Sequence, residues 1–451
     1  MNEVLREIYE YIDKNSQRFV EDLIRLCKQP SISTQNVGIN DCVDLVQSMM
    51  GEVGIETEII QTKGHPMLLG LQKFEGADKT IGFYNHYDVQ PPEPLELWET
   101  PPFNADIRED KIFARGVSDN KGDLIARIKA IEAIKEVVGL APANVKFFIE
   151  GEEEIGSPNL APSVKEHMPR IRADGYIWEG GGVDGKGRPV VSLGVKGILY
   201  TEMKAKCTVT DVHSARAPLV PNPAWRLVWA LNTLKDRDER IKIAGWYEDV
   251  KPPTEEEVKL LESSPFEEEE MKERLGLKEF LLKRTGVDAL KYLYFTPTCT
   301  ICGFDAGYKG PGLKTVLPQE AMVKVGFRLA HAMNPDILFP KLVDHLERHG
   351  FGDVEVTKLA GYEPCKTSVD DPFARFVIEK LTEVYLDKPV VWPTSAGTSP
   401  MYTIKNRMGV PVVSGGGVGY PESRAHAPNE NIRIKDYLRS IKFVATLITS
   451  F

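Results

Sequence analysis

Apolar residues recur along this chain in two rhythms. Over the first 195 residues, short apolar runs alternate with segments whose apolar positions fall three and four apart. The runs "MLLGLQ" (67–72), "KTIGFYNHYDV" (79–89), "ANVKFFIE" (143–150) and "ADGYIWE" (173–179) predict strands. Residues 121–138, "KGDLIARIKAIEAIKEVV", predict a helix, and the first thirty-one residues predict an amphipathic one. Strands interleaved with helices imply an α/β fold, a mostly parallel sheet with helices on both faces.

From about residue 196 the texture changes. "GILYTEMKAKCTV", "PQEAMVKVGFRLA" and "DVEVTKLA" predict strands, and "PNPAWRLVWALNTLK" and "PDILFPKLVDHLERHG" predict helices. Between them lies the acidic stretch "KPPTEEEVKLLESSPFEEEEMKERLG", whose charges suit solvent-facing helices. The α/β texture returns near "DDPFARFVIEKLTEVY". The expected organisation is therefore a first domain of residues 1–195 and 366–451, interrupted by an inserted α+β unit at 196–365. No internal repeat or low-complexity tract interrupts it.

Composition narrows the function. The 451 residues are 42% hydrophobic and 27% charged, which is ordinary for a globular protein. Lys plus Arg number 56 against 66 for Asp plus Glu, a net charge of −10 that argues against nucleic acid and anionic membrane surfaces as partners. No stretch approaches the roughly 18 apolar residues of a bilayer span. The start of the chain lacks a basic segment followed by an apolar one, so a cytoplasmic location is expected. Six scattered cysteines do not resemble a disulfide framework.

One stretch raises a chemical question. "FFIEGEEEIGS" (147–157) ends an apolar run with Glu150, Glu152, Glu153 and Glu154. A solvated acidic turn is the plain reading; a bound cation is the other. His86 and Asp88 stand two apart at the end of a predicted strand, and Asp119 lies in a polar loop ahead of the helix. Glu179 follows another strand, and His426 sits in the loop "SRAHAPNENI". Parallel strands bring such ends to one edge of a sheet, where ligands of open α/β sheets bind. Imidazole and carboxylate together suit zinc, with cobalt or manganese as substitutes. Two histidines are too few for two closed sites, but a shared Asp119 would leave each of two metals open to water.

Other readings are weaker. "GGGVDG" (180–185) fits a dinucleotide fingerprint, but the strand-like "RPVVSLGVKG" follows where a helix is required. "CTIC" (299–302) has no second cysteine pair to complete a zinc site, so structural cysteines are expected. No G-x-S-x-G occurs, which removes the serine-hydrolase elbow. A non-enzymatic binding protein on the same fold is a further alternative, and the presence of Glu153, Glu154, Asp119, His86 and His426 together argues against it.

The ordered set "HYDVQPPEPLELWETPPF", "RGVSDNKGD", "EGEEEIGS" and "AHAPNE" resembles the M20 metallopeptidases over nearly the whole chain. "DVQP", the "W…PF" after it and "KTVLP" resemble the dipeptidase branch. The resemblance implies a two-zinc hydrolase. His86 and Glu179 would bind one zinc, Glu154 and His426 the other, with Asp119 bridging and Asp88 supporting His86. Glu153 would be the general base, while Glu150 has no such role and Glu152 is expected to be exposed. The insert would act as a lid and dimer contact, with His213 of "TDVHSA" stabilising the oxyanion from the partner of a homodimer. Arg328 of "VGFRLA", with Thr315, Gly397 and Thr398, would contact substrate. Three departures from the family pattern stand out: Asn120 replaces a common Asp, "HSA" replaces "HSG", and Glu179 stands where dipeptidases tend to carry Asp. The terminal ligand is thus Glu179 or a neighbour such as Asp184. The substrate is a dipeptide or short peptide first, and an N-acyl amino acid second.

Overall fold

Val, Ile, Phe and Leu crowd the runs predicted as strands in the first half, and each run forms one. The structure, a computed structural model, describes residues 3–451. It divides into two units. One runs up to Gly194 and includes Lys366–Pro393 and Thr403–Phe451; the other holds Val195–Cys365 and Thr394–Tyr402.

The first unit is built on a nine-stranded sheet. Its four middle strands, Ala143–Glu150, Lys79–His86, Gly175–Ile177 and Val412–Gly415, are mutually parallel. Antiparallel pairs flank them: Glu56–Ile60 with Met67–Gln72, Met67–Gln72 with Ala143–Glu150, and Val412–Gly415 with Pro189–Ser192. The middle strands are buried along almost their whole length, as a sheet covered on both faces requires. All three in the first half therefore end together. Their last residues lead into His86, Glu150 and Glu179.

The helix predicted over 121–138 is Gly122–Val137, and its first thirteen residues are all buried. The C-terminal helix Ile434–Ser450 packs across it. Burial on every side forces Asp123, Arg127, Lys129 and Glu132 to find partners. The N-terminal segment differs from its prediction. It forms two helices, Glu3–Lys14 and Ser16–Lys28, broken at Asn15. Residues 1 and 2 lie outside the described residues.

The second unit holds a four-stranded antiparallel sheet in the order Thr298–Ala306, Glu320–Leu329, Gly197–Lys206, Glu355–Tyr362. Burial alternates strictly along Gly197–Lys206, the mark of a sheet with one covered face. Leu199, Met203, Val323, Val325 and Phe327 point into that core, under Leu227 of helix Pro223–Leu234 and Leu342 of helix Pro335–Arg348. Both helices start in the same way, with an Asn side chain capping backbone N–H groups and Pro in the first turn. The acidic stretch forms helices Glu255–Ser263 and Glu268–Leu275. The first is closed by a Thr254–Glu257 capping box, and the second buries no residue.

"GGGVDG" opens no helix; Gly182–Val183 is a short strand. Gly182 has φ +153, and a Cβ there would stand 1.9 Å from the Gly419 carbonyl oxygen. This glycine therefore serves a close approach of two backbones, not a phosphate. Among the described residues no helix is long and apolar enough to cross a membrane.

Candidate metal centre

Two of the parallel strands lead to a common edge, at His86 and Glu179. His86 is the last residue of its strand and is wholly buried. The chain turns immediately after it, so the His86 Nδ1 lies 3.0 Å from the Asp88 carbonyl oxygen and 3.4 Å from Asp88 Oδ1. The Asp88 carboxylate also accepts the backbone N–H groups of Glu153 (3.2 Å) and Glu154 (3.1 Å). It thus fixes both the imidazole and the turn Glu153–Ile155.

Asp119 faces two histidines. Its Oδ1 is 3.0 Å from His86 Nε2, and its Oδ2 is 3.0 Å from His426 Nε2. Each histidine has a second carboxylate beside it. Glu179 Oε2 lies 3.6 Å from His86 Nε2, and Glu154 Oε2 lies 3.1 Å from His426 Nε2. Gln90 donates to the same Glu154 oxygen at 2.8 Å. Donor atoms of His86, Glu153 and Glu179 all lie within 4.8 Å of one another, as do those of His86, Asp119 and Glu154.

These side chains fit a cation. Burial pushes the Glu153 carboxyl up to about 7, with Glu154 and Asp119 adding to the rise against His86. Burial likewise raises Glu179 well above the carboxylate range, and Glu153 adds to it. Asp119 and Glu154 raise His426 to about 10. Burial opposes a charged His86 ring, but Glu179, Asp119 and Asp88 outweigh it and hold this group high. Asp119 goes the other way: burial works to raise it, and the two histidines lower it. The cluster thus draws protons onto its own ligands, the state a divalent cation replaces on binding. Glu154 Oε1 and Glu179 Oε2 are buried with no hydrogen-bond partner, which leaves donor capacity unused.

The glutamates of the opening question divide. Glu152, expected to be exposed, is buried because its carboxylate accepts His65 N–H (3.1 Å) and Asn159 Nδ2 (2.7 Å), closing the loop beside the site. Glu150 lies deeper. It accepts the hydroxyls of Tyr84 and Ser157, and burial lifts its carboxyl from 4.5 to about 8. A folded value above the unfolded one means that the metal-free protein loses stability as pH rises from about 4.5 to about 8. Glu150→Gln removes that titration, so its melting temperature should gain on wild type across this window. Parallel melting curves at all pH values would discard the assignment.

Other sequence-singled residues fall elsewhere. Asp184 is held in its own turn, accepting Lys186 N–H, Arg188 N–H and Arg188 Nε, so Glu179 is the carboxylate at the centre. In the second unit, His213 pairs with Val316 beside Thr315, and its Nδ1 accepts Ala215 N–H at 3.0 Å. Arg328 Nη1 donates to Thr398 Oγ1 at 2.5 Å, and the Gly397 carbonyl accepts Lys196 N–H at 2.9 Å. These bonds draw the loop Thr394–Tyr402 into the second unit. Cys299 is buried and Cys302 exposed on one strand; neither stands in a metal-capable cluster among the described residues.

Sequence reasoning passed over several supporting groups. Arg127 is buried in its helix and donates to the carbonyls of Tyr84 and Trp178, each two or one residue short of a ligand, and to Asn85. Asp123 accepts Gly180 N–H at 3.1 Å and Val418 N–H at 2.8 Å. Asn120, which replaces a common Asp, accepts from Asn85 and donates to Asp123 at 3.0 Å. Glu430 accepts the N–H of Asp119. All were charged or polar letters inside motifs already noted, but nothing in the letters shows that they are buried.

A family model described as peptidase family M20/M25/M40 matches residues 82–450. Beta-Ala-His dipeptidase of Rattus norvegicus is 26% identical to the chain, with 98% of this chain and 94% of that protein covered. Cys-Gly metallodipeptidase of Schizosaccharomyces pombe is 27% identical, with 98% of each covered. Among solved structures, an M20 family metallo-carboxypeptidase from Sulfolobus solfataricus superposes with a TM-score of 0.91 at 40% identity, covering 96% of this chain and 98% of that one. With the match running from the strand that ends at His86 to the last helix, this chain belongs to peptidase family M20/M25/M40.

Proposed function

We propose that the protein is a metal-dependent amide hydrolase that cleaves dipeptides and short peptides bearing a free C-terminal carboxylate. Two zinc ions per subunit complete it, with cobalt or manganese able to take their place. One observation carries this reading: Asp119 presents each carboxylate oxygen to a different histidine, and each histidine has a further carboxylate beside it. His86 and Glu179 would hold one ion, His426 and Glu154 the other, and Asp119 both. Bound there, such a pair supplies Lewis acidity that polarises the scissile carbonyl and lowers the pKa of water.

The remaining work falls to side chains. Glu153 takes a proton from the attacking water and delivers it to the departing amine nitrogen. Asp88 holds the turn that aims Glu153. Because His213 Nδ1 accepts an N–H, its proton resides on Nε2, free to donate to the oxyanion. Arg328, with Thr398 and Gly397, receives the substrate carboxylate through its planar fork. Relatives named as dipeptidases and as a carboxypeptidase support a substrate with a free C-terminus.

The test follows amine release by zinc-loaded protein from free dipeptides and tripeptides, C-terminally amidated peptides, and N-acetyl and N-succinyl amino acids. Free dipeptides should turn over and lose all turnover on chelation. Turnover of the N-acylated set alone would move the protein to the deacylases. Arg328→Ala should cut kcat/KM on free dipeptides by about 10²-fold and leave amidated peptides unaffected. An equal loss on both would remove Arg328 from this role.

His213 acts in this reading from the second subunit of a homodimer. A dimer is supported by an exposed apolar stripe on helix Pro223–Leu234, where Trp225 and Trp229 are 56% and 55% exposed with ring centroids 5.9 Å apart. Mixing Glu153→Gln and His213→Ala subunits should restore activity, since one site of each mixed dimer then holds both native groups. Mixed dimers as inactive as their parents would place His213 in its own subunit's site.

A further inference from the structure

Glu430 follows His426 by four residues and is 1% exposed. Its carboxylate is filled on both oxygens. Oε1 accepts the backbone N–H of Ser118 (2.9 Å) and of Asp119 (3.0 Å), and Oε2 accepts Gly116 N–H (2.9 Å) and Arg115 Nη1 (2.7 Å). Three amides of one loop aimed at a single point make an anion cradle. The chain fills this one with its own side chain. Arg115, also 1% exposed, extends the tie: its Nη1 reaches the Ala427 carbonyl at 3.5 Å and its Nη2 the Pro91 carbonyl at 3.2 Å.

The two halves of the centre differ in what holds them. His86 closes a strand paired on both sides and is wholly buried. Glu179 follows a paired strand whose next carbonyl, that of Trp178, is held by Arg127. His426 belongs to an irregular loop, its side chain is 53% exposed, and its φ is +63. Arg424 and Asn429 are left-handed too, at φ +54 and +60. Non-glycine residues hold that conformation only where surroundings impose it. Here the surroundings are Asn429, bonded to Glu99 N–H and the Leu97 carbonyl, and Glu430, bonded to the Asp119 loop.

We propose that Glu430 is a positioning residue that ties the Asp119 loop to the His426 loop and sets the affinity of the His426–Glu154 half of the centre more than that of the His86–Glu179 half. The proposal rests on the two-ion reading above. Its consequence is an asymmetric pair of ions. The loop-borne half depends on Glu430 through both the His426 loop and Asp119, and the strand-borne half through Asp119 alone. Gln at this position would keep the size but set an amide NH2 against two donors, which breaks one pair of bonds.

Calorimetric titration of metal-free protein with zinc decides the matter. Wild type should take up two equivalents. Glu430→Gln should bind the second about 10–100-fold more weakly, the usual cost of losing a group behind a ligand, and the first with a smaller change in Kd. Its kcat should fall at low zinc and recover at high zinc, with KM unchanged, whereas general loosening of the fold would weaken both ions alike. Arg115→Lys should weaken the second ion less, and it decides in place of Glu430→Gln should that variant fail to fold. Two ions bound as in wild type, or both weakened equally, would overturn the proposal. Fewer than two equivalents in wild type would instead overturn the two-ion reading, and this proposal with it.

Discussion

Glu153→Gln should retain the metal content of wild type and turn over dipeptides about 10³-fold more slowly, within the 10²–10⁴-fold range for a lost acid–base group. The expectation comes from where the turn Glu153–Ile155 is held. Asp88 accepts two consecutive N–H groups and so sends two consecutive side chains in different directions. Glu154 goes to His426 and Gln90, whereas Glu153 has no hydrogen-bond partner of its own at the centre beyond its electrostatic neighbours. In the metal-free protein burial lifts its carboxyl to about 7. Glu153 also lies within ligand distance of His86 and Glu179. Metal analysis of the variant therefore matters as much as its rate. Loss of an ion together with activity would make Glu153 a ligand and leave the base unassigned.

Asp119→Ala should have the larger effect on binding. This carboxylate reaches both histidines, each at 3.0 Å from a separate oxygen. In the proposed two-ion centre its removal would leave one histidine and one glutamate per ion and take away the negative charge between the two cations. Activity should become undetectable at zinc concentrations that saturate wild type. Thermal melts supply an independent readout, since a ligand held only by the folded state stabilises it by about 2.7 kcal/mol at a hundredfold excess over Kd. Zinc should raise the melting temperature of wild type and leave that of Asp119→Ala unmoved. A variant that still gains as much from zinc as wild type does would remove Asp119 from the centre.

Between these two residues lies the difference between a letter and its setting. Strands such as Met67–Gln72 and Ala143–Glu150 coincide with the apolar runs that predicted them, because an unbroken run of Leu, Phe, Val and Ile is stable only where both sheet faces are covered. Helix Pro223–Leu234 was equally legible, since Asn222 and Pro223 signal a start that apolar spacing then continues. The N-terminal helix was read as one because amphipathic spacing runs through Asn15, where the backbone nonetheless breaks. The approach of Glu179 to His86 was legible for a related reason: His and carboxylate letters just after apolar runs come together where those runs are neighbouring parallel strands.

What the sequence by itself determined is the strands and helices named from apolar spacing, apart from the break at Asn15, the parallel centre of the sheet, and the family, through motifs whose order survives without any coordinates. Only the tertiary structure decided which polar letters are buried. It placed Glu152 inside, kept Asp184 in its own turn, and gave Asp88 two amides besides its histidine. It also joined Glu430 to a loop more than three hundred residues away. The reason is physical. Periodicity reports which face of an element is apolar, whereas a buried carboxylate is stable only through donors supplied by other elements, and those partners are fixed by packing and not by neighbours in the chain.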